Sequence, residues 1–218
     1  MIPIITFIGW QNSGKTSLIR KIIARLKEKG LRVAAIKSTH HENIEFDRPS
    51  SDTATYRTAG ADSVTLIAPD QMVTMTGRPD RKLVDIVNRS FYDVDVIIAE
   101  GFKDERHIAK IEVNREGADL LRDTVNGVVA VVTDREITGD NIFSPDQDQE
   151  LAEFIANEFC RKPDQPQALL YVNGKKVPMK GFVQDALAGT LGGFIRSLKQ
   201  TEGIRDVDVK ITFPGSDK

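Results

Sequence analysis

Gly9-Trp10-Gln11-Asn12-Ser13-Gly14-Lys15-Thr16 is the stretch that decides the fold. Its spacing is Gly-x-x-x-x-Gly-Lys-Thr, and each fixed position has a mechanical task. Gly9 and Gly14 let the backbone curl until its N–H groups converge on phosphate oxygens. Lys15 brings a positive charge to the β- and γ-phosphates, where charge builds during transfer, and is the candidate catalytic residue. Thr16 offers its hydroxyl to magnesium, and a helix starting there adds the partial positive charge of its N-terminus. Gln11, Asn12, Ser13 and Ser17 complete the expected nucleotide cradle.

The flanks supply the context that such a loop requires. Before it, residues 2–8 are a nearly unbroken apolar run, as expected of a parallel strand buried on both faces. After it, Leu18, Ile19, Ile22, Ile23 and Leu26 recur at helical spacing, with Arg20, Lys21, Arg25 and Lys27 on the other face. Gly30 suits a left-handed cap, and residues 32–37 read as a second strand, closing a βαβ unit.

Further along, residues 38–51 form a long polar loop, followed by a short helix from Asp52 to before Gly60. Strands are expected at 63–67 and 72–76 around a Pro69-Asp70 turn. Leu83, Ile86 and Val87 mark a helix, 94–99 a buried strand, about 108–113 and 125–132 two more, and 148–160 an amphipathic helix. Residues 1–162 thus read as a phosphate-loop α/β domain, a mostly parallel sheet flanked by helices.

The polar, proline-bearing run 161–166 reads as a linker. Beyond it, residues 168–214 read as a small α+β unit in the order ββαβ. It comprises a hairpin turning at Asn173-Gly174, a helix with apolar residues from Phe182 to Leu198, and a last strand alternating through Val207, Val209, Ile211 and Phe213. Gly189, Gly192 and Gly193 in that helix would permit close approach of another backbone, consistent with a homodimer.

The 218 residues suffice for one such domain and a small appendix. A net charge of −2 gives no global basic field, which argues against nucleic acid or an anionic membrane as partner. The one cysteine, Cys160, provides neither a disulfide nor a metal-ligand set and fits a small apolar role at a helix end. No apolar run approaches the ~20 residues that span a bilayer, and the N-terminal residues lack the flanks of a signal peptide. A cytoplasmic protein is expected.

A triphosphate site needs a second acidic group near its metal. Glu100 is the first candidate, because it ends strand 94–99, where α/β sheets place their ligands. Asp52 and Asp47, around the end of the long loop, are alternatives that spacing does not separate. Asp134 ends the run Val131-Val132-Thr133-Asp134 and is a candidate acceptor for a guanine ring N–H and amino group, although the Asn-Lys of the common GTPase signature does not precede it. His40-His41 follow the end of the second strand, and since adjacent side chains in a strand would point apart, both could bind one metal only through loop geometry.

These residues resemble a known family, the molybdopterin-guanine dinucleotide biosynthesis protein B family. The similarity runs through Gly9 to Thr16, Ile36-Lys37-Ser38-Thr39-His40-His41, and Asp52 with Arg57 and Ala59-Gly60-Ala61. It continues through Glu100-Gly101-Phe102-Lys103 and Lys110-Ile111-Glu112-Val113-x-Arg115. The resemblance implies a GTP-binding adapter with magnesium and at most slow hydrolysis. Such an adapter assists the guanylyltransferase that joins GMP to molybdopterin in molybdenum cofactor biosynthesis, and contact with molybdopterin or a molybdoenzyme is a further implied partnership. It also implies Thr16, Asp52 and Glu100 as the magnesium set.

Two departures stand out. Ser38 replaces the first histidine of a His-Thr-His-His run, and Ser50-Ser51-Asp52-Thr53 replaces Gly-Lys-Asp-Ser. The competing readings are a small-molecule kinase or ligase of the same fold, with Arg57, Arg78 and Arg81 as sources of charge, and a metallochaperone GTPase using His40-His41.

Overall fold

The computed structural model describes residues 2–211, apart from 43, 78–82, 92, 116, 161–167, 169, 173–174, 200, 204–206, 208 and 210. The chain divides into two compact units, Met1–Arg161 and Lys162–Lys218. In the first unit the order is β1 (Ile4–Ile8), α1 (Lys15–Glu28), β2 (Val33–Lys37), α2 (Asp52–Thr58), β3 (Ser63–Ile67), β4 (Met72–Thr76) and α3 (Leu83–Ser90). It continues with β5 (Val96–Glu100), β6 (Ala109–Val113), a 3-10 turn (Leu121–Asp123), β7 (Val128–Val132), β8 (Ile142–Phe143) and α4 (Asp148–Phe159).

Six strands form one sheet in the order β2-β5-β1-β6-β7-β8, and every pairing in it is parallel. The apolar run at the N-terminus becomes β1, flanked on both edges and buried at every position. Side chains alternate between the faces of a strand, and the core divides accordingly. Ile5 and Phe7 pack with Leu18, Ile19, Ile22 and Leu26 of α1 and with Leu151, Ala152 and Ile155 of α4. Ile4 of β1, with Ile97 and Ala99 of β5, packs instead against Leu83 and Val87 of α3. Full burial of each such side chain stabilises the fold by roughly 2 kcal/mol. Asp148, at the start of α4, ties that helix to α1 by accepting from Arg25 Nε at 2.9 Å and Lys21 Nζ at 3.2 Å.

The α/β reading with a mostly parallel sheet is therefore what the chain builds. The expected turn at Pro69-Asp70 is present, with the Ala68 N–H donating to the Gln71 carbonyl at 2.8 Å. It joins β3 and β4 into a separate antiparallel pair. The two-residue β8 has no counterpart in the sequence reading, being too short to show a period. Cys160 caps α4 and packs against the larger core cluster. Burial, with a smaller contribution from Asp95, pushes its thiol pKa up to about 11, so it stays protonated and apolar.

The second unit contains β9 (Leu170–Val172) paired antiparallel with β10 (Lys175–Val177), then α5 (Gly181–Arg196). The Asn173-Gly174 turn, the 161–166 linker and Phe213 lie outside the described residues. The last expected strand does not form where it is described: Val207, Val209 and Ile211 carry no strand pairing and are exposed. Alternation alone names residues suited to an edge, but a strand also needs a partner ladder. Among the described residues, no helix is long and apolar enough to cross a membrane.

Candidate functional site

The loop between β1 and α1 sits at the C-terminal edge of the sheet, with the centre of the ladder beneath it. Gly9 has φ 152°, and a Cβ there would collide with the Val113 carbonyl. Any other residue would push the loop off β6, so glycine at this position is a packing requirement. Asn12 has φ 61° and Gly14 φ 91°, which turns successive N–H groups into the concave side of the loop. Trp10 holds the loop from outside by donating from Nε1 to the Asp119 carbonyl at 2.9 Å. Gln11 and Asn12 are exposed on the turn, Ser13 is buried and Ser17 is exposed on the first turn of α1.

Helix α1 then begins at Gly14 without a side-chain cap and without an acid in its first turn. A helix start of that kind presents N–H donors and positive potential to an anion. The Lys15 ammonium curls back over the loop, donating to the Gly9 carbonyl at 3.0 Å, the Trp10 carbonyl at 2.6 Å and Ser13 Oγ at 3.3 Å. Burial lowers its pKa from the ordinary lysine value. Glu100 opposes that shift and the nearby Lys37 adds to it.

Glu100 is fixed by its backbone as well as its side chain. Its carbonyl accepts from Ser38 N–H at 3.0 Å, and the next N–H, that of Gly101, donates to the Phe7 carbonyl at 3.1 Å. The Thr6 hydroxyl also donates to the Gly101 carbonyl. The end of β5 is thereby clamped between β1 and β2. Its carboxylate accepts the Thr16 hydroxyl at 3.1 and 3.2 Å and the Lys37 ammonium at 3.1 Å. A hydroxyl and a carboxylate converging at the mouth of a phosphate loop are hard oxygen donors of the type magnesium takes. Together with the glycine cradle they fit a magnesium-bound nucleotide.

Asp52, by contrast, is exposed on the first turn of α2. No hydrogen bond or ion pair among the described residues joins it to Thr16 or Glu100. Asp47 is engaged elsewhere, accepting from the Ser51 and Thr53 hydroxyls at 2.6 Å each. His40 and His41 are exposed on the loop after β2. No group of three or more His, Cys, Asp or Glu that could hold a metal exists among the described residues. Arg78 and Arg81 lie outside the description.

On the other side of the loop a cavity of about 350 Å³ is lined by Ser13, Gly14, Ser17 and Lys21 on one wall and Asn114, Arg115 and Asp134 on another. Asp134 therefore lines the same cavity as Ser13 and Gly14 of the phosphate loop. Arg115 links the two ends of this cavity. It donates from Nε to the Ser13 carbonyl at 3.2 Å and from Nη1 to Asp134 at 3.3 Å, and its guanidinium lies 3.1 Å from where a Gly14 Cβ would stand. Asn114 is buried, donates from Nδ2 to Glu112 and to the Ala118 and Asp119 carbonyls, and leaves Oδ1 without a partner.

Motif reading assigned no individual role to Lys37, Asn114 or Arg115. Their roles depend on which strands are neighbours, and one-dimensional spacing does not contain that information. Lys110 and Glu112 of the same segment serve structure instead. The buried Lys110 ammonium donates to the Glu105, Ile108 and Asn126 carbonyls, and Glu112 accepts the N–H groups of Leu121 and Arg122 at 2.8 Å each.

With this geometry in place, similarity to known proteins becomes informative. The family model for molybdopterin guanine dinucleotide synthesis protein B matches residues 4–134. A molybdopterin-guanine dinucleotide biosynthesis adapter protein of Escherichia coli (strain K12) is 34% identical over 165 residues, spanning 71% of this chain and 92% of its own. A relative from Methanocaldococcus jannaschii is 27% identical, and there the match spans 95% of this chain and 97% of the relative. Among solved structures, a crystal structure of molybdopterin-guanine biosynthesis protein B is 28% identical with a TM-score of 0.58, covering 71% of this chain and 98% of that one.

Proposed function

The chain belongs to the molybdopterin guanine dinucleotide synthesis protein B family, and from that premise we propose that it works as a GTP-binding adapter with magnesium and slow or no hydrolysis. Its adapter role lies in molybdopterin guanine dinucleotide biosynthesis. The observation that carries the nucleotide reading is the convergence of three elements: the Gly9–Gly14 cradle, the Lys15 ammonium above it, and the Thr16–Glu100 pair 3.1 Å apart at its mouth.

In this reading the N–H groups of residues 12–16 and the start of α1 bind the phosphate chain. Lys15 exchanges the carbonyls it now touches for phosphate oxygens. That exchange costs little, because its ammonium is already partly desolvated and gains from an anionic partner. Thr16 and Glu100 would hold magnesium, which would supply positive charge against the phosphate chain. Asp134 accepts from the guanine ring N–H and amino group at the far end of the cavity, positioned by Arg115. Adenine presents an unprotonated ring nitrogen and a C–H at the corresponding positions, so an acid there disfavours ATP.

The partner in this proposal is the guanylyltransferase that joins GMP to molybdopterin, with a homodimer as the working assembly. Calorimetric titration with GTP and ATP, with and without magnesium, tests the nucleotide part. Tight, magnesium-dependent GTP binding with weak ATP binding is expected, and equal affinity for both nucleotides would remove Asp134 from base recognition. Retention of the guanylyltransferase on the immobilised chain tests the adapter part.

A further inference from the structure

We propose that Lys37 is the residue by which this site distinguishes a nucleoside triphosphate from a diphosphate, an inference that rests on the nucleotide reading above. The strand order places β2 beside β5 with Lys37 in register with Glu100. The two side chains accordingly emerge on the same side of the sheet edge, and Lys37 Nζ lies 3.1 Å from Glu100 Oε1. The same carboxylate accepts the Thr16 hydroxyl. Thr16, Glu100 and Lys37 thus form a row leading away from α1 across the mouth of the loop.

The ion pair by itself does not account for this lysine. The Lys37 side chain is 61% exposed while that of Glu100 is 16% exposed, and an ion pair open to solvent on one side contributes little to stability. The carboxylate is the anchored member and the ammonium stands on its solvent side. Lys15 lies close enough to feel both groups. Lys37 is paired with Glu100, whereas Lys15 is held by the loop's own carbonyls and Ser13, so two ammonium groups stand near a single carboxylate and an anion would be welcome between them.

The position in the row decides which anion. In phosphate-loop sites a bound metal would offset charge near the outer end of the phosphate chain. Thr16 and Glu100 are the groups suited to it, and Lys37 lies beyond Glu100 on the side away from the α1 cradle. A phosphate chain that starts in the cradle would therefore come to Lys37 at its terminal group. A diphosphate occupies the cradle and Lys15 and leaves Lys37 with Glu100 alone. A triphosphate gives Lys37 a second anionic neighbour, and a charge-assisted hydrogen bond of that kind favours the longer ligand.

The test is calorimetric titration of the full chain, and of its K37M and K37R variants, with magnesium–GTP and magnesium–GDP. Because Lys37 is exposed, both variants are expected to fold. K37M is expected to lose about tenfold in GTP affinity while GDP affinity changes by less than about twofold. K37R, which keeps the charge, is expected to retain most of the GTP preference. Equal loss for both nucleotides, as a general weakening of the local field would give, overturns the proposal, and so does no loss for either. Wild-type protein that binds neither nucleotide would refute the underlying GTP reading and this proposal with it. Wild-type binding with an indifferent K37M refutes this proposal alone.

Discussion

Two helices of the first unit begin in opposite ways. α2 starts under its own side chains: Ser51 caps it by accepting the Ala54 N–H at 3.1 Å, and Asp47 accepts two hydroxyls of the same turn. α1 starts at a left-handed Gly14 with no side-chain hydrogen bond capping it and no acid in its first turn. Every helix leaves its first N–H groups without intrahelical partners. One of these helices caps an N–H with its own side chain, and the other leaves its start uncapped at the mouth of the sheet. The contrast also separates the acids. Asp47 is consumed by the α2 turn, whereas Glu100 is held by a strand end facing the open helix start.

The sharpest way to break this contrast is at Lys15. Replacing it with alanine is expected to weaken GTP binding by about 100-fold or more, because a desolvated phosphate loses its charged donor. The fold and the α2 turn should stay unchanged. Calorimetry read beside circular dichroism checks both halves. Next in size is Glu100→Gln. It keeps the shape of the side chain but removes the charge opposite Thr16, so the magnesium-dependent part of GTP affinity should fall about tenfold. Asp52→Asn should change it by less than about twofold, since the structure does not bring Asp52 to Thr16. Comparable losses at 52 and 100 would show that the two helix starts act on one metal site.

What the sequence made legible follows from these physical ranges. A glycine-framed loop between a buried strand and an amphipathic helix is local, so positions 9–16 carried their own context. β5 was readable because burial on both faces leaves a continuous apolar run, and its terminal Glu100 followed. Neighbour relations were not readable. That β2 lies beside β5, placing Lys37 on Glu100, is a property of the sheet order. That Arg115 reaches both Ser13 and Asp134 depends on β6 lying between β1 and β7. That Asp47 is taken up by the Ser51 and Thr53 hydroxyls and Asp52 stands exposed on α2 was not readable from spacing, and the alternation at 207–211 named a strand without naming its partner.

A smaller effect is expected at the capped helix. Ser51→Ala removes the acceptor for Ala54 N–H and a donor to Asp47, which should cost about 1 kcal/mol of stability. Chemical denaturation measures that loss, while GTP affinity should stay within about twofold of wild type. A large loss of GTP affinity would mean that the α2 turn is coupled to the loop.

The smallest effect is a dependence on pH. The hydroxyls of Ser51 and Thr53 hold the Asp47 carboxyl below the usual carboxylate range. A depressed value in the folded state means that the charged form favours the fold. That contribution is complete above the unfolded aspartate pKa of about 4 and is lost as pH falls through the lower folded value. Amide exchange at residues 51–55 should accordingly be steady from pH 7 to about 5, once corrected for intrinsic rates, and should quicken only in stronger acid. Asp47→Asn should show the quickened exchange already at neutral pH. The amides of residues 13–16 have no such acid over them, and their protection should respond to GTP instead. If acid alone loosened both segments together, the two helix starts would not be independent, and the assignment of one to structure and the other to ligand would fail.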